Sequence, residues 1–198
     1  MGEFYGNIHV RTQDRDAALA ALKPIARGER MFLVSPLRNG WLSIYPNDYG
    51  QDYKVSHGIA KRIQGDVIHL LLHDGTDFCY WYYRSGKLID KYSSRPDHFG
   101  PVSQRIRRGV QGRPELLQGL LAPGSDIEQL YVALDEMRSE SHVTSLAGRF
   151  AALLGIINFD TAYEDLIDEE TDGVEGWDAF VHLPDVSPEL RRRRQLEA

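Results

Sequence analysis

Ionisable side chains suited to acid–base chemistry gather at one turn and one later loop of this chain. His73, Asp74 and Asp77 lie at the turn, and Arg95, Asp97 and His98 follow in the loop. In such a set a carboxylate can orient one imidazole as it takes a proton, while a second imidazole supplies one. These roles need contacts of about 3 Å, so the set acts only if folding brings turn and loop together. If it does, His73, Asp74, Asp97 and His98 could serve a small hydrolase or transferase. The plainer reading is that Asp74-Gly75 and Asp77 are turn residues and that Ser94-Arg95-Pro96-Asp97 is a capping loop.

Other chemistries have less support. His69 and His73 show the H-x-x-x-H spacing of helical zinc sites, but they fall in the apolar run Val67–Leu72 and its end, which reads as a strand. At about 3.3 Å per residue the two rings stand roughly 13 Å apart, too far to share one ion, and no metal or other cofactor is expected. The only cysteine, Cys79, lies within an aromatic strand, where a thiol behaves as a small apolar group. Glycine-rich phosphate loops and the G-x-S-x-G elbow are missing from the sequence. Tyr80, Trp81, Tyr82 and Tyr83 could form a stacking platform, with Tyr80 and Tyr82 on one face of a strand and Trp81 and Tyr83 on the other. Asp48, in the loop 47–52 between a strand and a helix, is a candidate binding residue, although capping is the plainer reading of it.

Charge points to partners. The net charge of -6 disfavours a general phosphate-backbone binder, so nucleic acid is not an expected partner. Residues 151–189 carry no Lys or Arg but many acids, among them Asp168, Glu169 and Glu170. That stretch lacks EF-hand spacing and reads as a solvated face or a surface for a basic protein partner. The leading expectation is therefore an interaction or ligand-binding module that uses this acidic surface and the 73–98 region, with Arg95, Tyr80 and Tyr82 as further contact candidates. A homodimer is compatible with it. The first residues do not resemble a signal peptide, no apolar run reaches a membrane span, and a lone cysteine excludes an intrachain disulfide, so the expected location is cytoplasmic.

The elements that must position these groups are legible from periodicity. Phe4–Thr12 alternates as a half-buried strand, and Asp14 can cap a helix over 16–26 whose last turn Pro24 disturbs. Met31–Ser35 and Trp41–Tyr45 flank Asn39-Gly40, a hairpin signal. Val55, Ile59 and Ile63 form a helical stripe, and Val67–Tyr92 reads as three neighbouring strands. The order βαββαβ resembles the ferredoxin-like split βαβ pattern, which implies a mainly antiparallel sheet with two helices on one face. Residues 28–45 and 65–82 echo one another weakly, each as strand, turn and strand after a helix. From residue 101 the pattern turns helical: Pro114 suits a short helix, 126–138 and 143–154 carry wide apolar stripes, a further helix is expected to end near Ile167, and 177–183 is either an edge strand or a packed extended segment. One α+β domain spanning 1–198 is expected, with a sheet-rich part to residue 100, a helical part over 101–190 and a basic tail at 191–198.

Overall fold

A computed structural model describes residues 3–48, 50–167 and 174–184. Among the described residues seven strands form one antiparallel sheet: β1 (Tyr5–Arg11), β2 (Phe32–Val34), β3 (Trp41–Pro46), β4 (Asp66–His73), β5 (Asp77–Arg84), β6 (Lys87–Ser93) and β7 (Val181–Leu183). Their spatial order is β6-β5-β4-β1-β3-β2-β7. The sheet is open, and a helical region follows it in sequence. The expected asparagine-glycine turn forms with Asn39 and Gly40 both at positive φ and reciprocal bonds between Arg38 and Trp41, the geometry a two-residue hairpin loop requires.

Helix α1 (Arg15–Leu22) starts at Asp14, whose carboxylate accepts from the Ala17 N–H. It stops earlier than the stretch to residue 26 that composition suggests, because Pro24 lacks an N–H and its ring opposes another helical turn. Helix α2 (Tyr53–Arg62) starts at Asp52, whose carboxylate accepts from Lys54. Both helices cover one sheet face, where Ile8, Val10, Leu42, Ile44 and Val67 pack against Ala18, Leu22, Val55 and Ile59.

The opposite face is apolar as well and carries the second layer of helices. These are α4 (Ile127–Ser139), α5 (Thr144–Leu153) and α6 (Tyr163–Ile167), with a 3-10 turn at Pro114–Leu120; α3 (Gln104–Gly109) precedes them in sequence. Helix α4 begins with a capping box between Asp126 and Gln129. Leu130, Leu134, Met137, Phe150 and Ala151 close over Leu70, Leu72, Phe78, Tyr80, Tyr82 and Tyr92. Phe150 lies nearly parallel to Tyr80 at 5.4 Å, and removing its ring would cost about 3–5 kcal/mol. Helix α3 alone buries none of its residues.

The segment 177–183 resolves into a 3-10 turn at Trp177–Ala179 and the short edge strand β7, which pairs with β2. The echo between 28–45 and 65–82 does not extend to equivalent places in the sheet. In the first unit the second strand, β3, lies beside β1; in the second unit it is the first strand, β4.

Candidate active site

The Asp-Gly turn between β4 and β5 is held from two sides. Asp74 and Gly75 both have positive φ, as the tight turn demands, and the Thr76 N–H donates to His73 O. Gly75 N–H donates to Glu3 O, and Gly75 O accepts from Val143 N–H at the start of α5. The end of β4 is thereby fixed against the N-terminal segment and the helical layer, and His73 and Asp77 become a cross-strand pair.

Asp77 organises the end of β6 and the loop beyond it. It is 5% exposed, and its Oδ1 accepts from Ser93 Oγ (3.2 Å), Ser94 Oγ (3.1 Å) and the Arg95 N–H (3.1 Å), while Oδ2 faces the Cys79 thiol at 3.6 Å. Burial raises the pKa of that thiol, and the Asp77 charge adds to the effect, so Cys79 stays protonated and is no nucleophile. Pinning Ser93–Arg95 directs the loop back over the turn, where His98 N–H donates to Arg95 O.

His98 thus reaches His73, with ring centroids 5.0 Å apart and planes near perpendicular at 69°. Phe4 stands 4.5 Å from the His73 ring on edge, and Phe99 lies 4.9 Å from His73 and 4.6 Å from His98. Nδ1 of His73 is buried and has no hydrogen-bond partner among the described residues. Desolvation pulls the His73 pKa down from its ordinary value, and His98 pulls it further, against the opposing charges of Asp74 and Asp77. The lowered pKa favours the neutral imidazole that a general base needs, and the enclosed Nδ1 leaves Nε2 as the nitrogen that would meet a substrate.

The residues singled out from sequence divide accordingly. His73 and His98 come together. Asp74 is exposed on the turn and acts on His73 only through its charge. Asp97 turns away, accepting from the Val102 N–H at 2.9 Å and pairing with Arg107. No carboxylate hydrogen-bonds either imidazole among the described residues. The Arg95 guanidinium donates to Glu140 O at 3.0 Å. Tyr80 and Tyr82 are fully buried under the helical layer and donate to Asp90 (2.7 Å) and Asp66 (2.5 Å), so neither ring offers a free stacking face. Asp48 accepts from the Gly50 N–H at 3.0 Å as a turn brace. Asp168, Glu169 and Glu170 lie outside the described residues.

Phe4 and Phe99, which wall the site, were not anticipated. A phenylalanine beside a histidine, as in His98-Phe99, is the only sequence signal that pointed toward one of them.

Two further polar groups are interior. His69 is fully buried: its Nε2–H donates to Gly50 O at 2.7 Å, and Nδ1 faces Ser56 Oγ at 3.1 Å, with Tyr83 Oη a further 3.4 Å from that hydroxyl. Burial lowers its pKa to about 4. His9, on the other face, meets Ser43 Oγ at 2.9 Å, and burial lowers its pKa to about 3. Both lie too deep to meet a substrate. No three metal-ligating side chains cluster among the described residues. A separate groove of about 450 Å3 runs between residues 111–114 and α4, but its polar members Arg138 and Tyr131 already bond Gln111 O and Glu115.

Comparison with protein-family models, with curated proteins and with solved structures gave no match. Among the described residues no helix is long and apolar enough to cross a membrane.

Proposed function

We propose that this protein is a small hydrolase or transferase that works by acid–base catalysis at the His73–His98 pair. The observation that carries the reading is the contact of the His73 ring with a second imidazole, 5.0 Å away at the sheet end with Phe4 and Phe99 packed beside it. In one step His73 takes a proton from water or a substrate hydroxyl, and His98, when protonated, delivers one to the leaving group. Asp77 is a positioning residue, since it holds the loop that brings His98 over His73. The acidic interaction surface expected from composition draws no support from the described residues, so the catalytic reading is preferred.

The scaffold supports a finer assignment. The order β4-β1-β3-β2, antiparallel throughout with α1 and α2 on one face, is that of a ferredoxin-like split βαβ unit, which β5, β6 and β7 extend and the helical layer covers within a single α+β domain.

A panel of carboxyl esters, phosphomonoesters and phosphodiesters tests the function with wild-type protein, His73→Gln and His98→Gln. Turnover of at least one class should fall by roughly 100-fold or more in each variant, the usual size of an acid–base contribution. Equal turnover by all three proteins, or none by the wild type on any class, would refute the proposal.

A further inference from the structure

The segment that carries His98 is basic, although the chain is acidic and Asp74 and Asp77 stand beside His73. Residues 91–113 hold six Lys and Arg, namely Lys91, Arg95, Arg105, Arg107, Arg108 and Arg113, against one acid, Asp97, although the whole protein carries a net charge of -6. Helix α3 presents three of these arginines while burying none of its residues, and Ile106 is 51% exposed. Arg107 pairs with Asp97, which ties the helix to the His98 loop. Arg105 and Arg108 have no ion-pair or hydrogen-bonding partner among the described residues. Beside the histidines, Phe99 stands 81% exposed, held edge-on to His98 rather than packed into the core.

A free aromatic face, unpaired cations and two imidazoles fit one substrate chemistry. We infer that the substrate of the His73–His98 site is single-stranded RNA, with a base on Phe99, phosphates along Arg105 and Arg108, and the reacting phosphodiester across the outer edges of the two touching imidazoles. This rests on the acid–base reading above. Aromatic rings stack on any base and arginines track the backbone, so such a site is tolerant of sequence. The global charge argued against nucleic acid, but phosphate contacts respond to the local field within about a Debye length of 8–10 Å.

The step balances without another reactant. The ribose 2′-oxygen attacks phosphorus as His73 takes its proton; the bond from phosphorus to the 5′-oxygen breaks, and its electron pair stays on that oxygen, which receives a proton from the His98 imidazolium. The products are a 2′,3′-cyclic phosphate and a 5′-hydroxyl, and the histidines end with their protons exchanged.

The test measures binding and cleavage of a labelled short single-stranded RNA. The DNA of the same sequence and vesicles of phosphatidylcholine with phosphatidylserine are compared beside it. RNA should bind in a salt-sensitive manner and be cut to cyclic phosphate ends, while DNA, lacking the 2′-hydroxyl, should stay intact. Arg105→Ser with Arg108→Ser changes only exposed side chains; it should reduce the log–log salt slope by about 1.4, which is about sevenfold in affinity between 50 and 200 mM salt. Phe99→Ala should weaken binding by roughly 5- to 160-fold, the range of one base stack. His73→Gln should abolish cleavage while salt-sensitive RNA binding persists.

Absence of RNA binding, binding without His73-dependent cleavage, binding indifferent to the arginine substitutions, or capture by the vesicles alone would overturn the inference. If His73-dependent turnover of a small ester persists in any of those cases, the acid–base site stands and only the RNA assignment falls; if no ester is turned over either, both fall.

Discussion

Lowering the pH from 7.5 to 5.0 should destabilise the fold by about 4 kcal/mol through two buried histidines. His9 and His69 are neutral in the folded protein, with burial lowering them to about 3 and about 4, the latter partly opposed by the Gly50 bond and the Asp52 charge. In the unfolded chain both titrate near 6.5. The sign comes from proton binding: below pH 6.5 the unfolded state takes up protons that the folded state refuses, so stability falls with pH. It is complete above about 6.5, declines toward the folded values, and levels off below them. At pH 5.0 each ring contributes about 1.5 pH units of unmatched protonation, or about 2 kcal/mol, and the two together about 4. His73 acts in the same direction, whereas Asp48, raised by desolvation, acts in the opposite one.

Urea denaturation monitored by tryptophan fluorescence reads this directly, because Trp41 is buried between the layers. With a slope near 2 kcal/mol per molar urea, the midpoint should fall by about 2 M between the two pH values. The double variant His9→Gln, His69→Gln should lose most of that pH difference whatever its absolute stability. A wild-type midpoint that does not move, or a difference that survives the double substitution, would refute the neutral buried state of the rings.

Other outcomes rest on single contacts. Asp77→Ala removes the acceptor of three hydrogen bonds and should cost about 3 kcal/mol in chemical denaturation, while freeing the 93–98 loop so that turnover falls with it. A stable, fully active variant would show that Asp77 does not position His98. Gly50→Ala should cost about 2–4 kcal/mol, because Gly50 sits at φ 63° and an added Cβ would lie 2.0 Å from Gly6 O; thermal unfolding unchanged from wild type would contradict that close approach.

The sheet was legible in the sequence because its signals are local. Asn39-Gly40 and Asp74-Gly75 specify positive-φ turns, alternation along Phe4–Thr12 specifies a strand face, and Val55, Ile59 and Ile63 specify the buried stripe of α2. The meeting of His73 and His98 was conceivable from residue type, but its cause was not, since it depends on Asp77 gathering donors from the next strand and loop. Phe4 joins the site from the far end of the chain, a pairing that no periodicity encodes. Tyr80 and Tyr82 alternate as any half-exposed strand would, and only the helical layer from residue 127 onward decides that their face is covered. Likewise His9 and Asn7 occupy polar positions of an amphipathic pattern, yet both are interior because the sheet is covered on two sides.

The most direct measurement of the central claim is the titration of the His73 imidazole by NMR, in the wild type and in His98→Gln. If the two rings form one coupled acid–base pair, His73 titrates below 6.5 in the wild type and moves upward when the second imidazole is removed. A wild-type His73 that titrates at or above 6.5, or one indifferent to the loss of His98, would contradict the pairing on which the proposed catalysis depends.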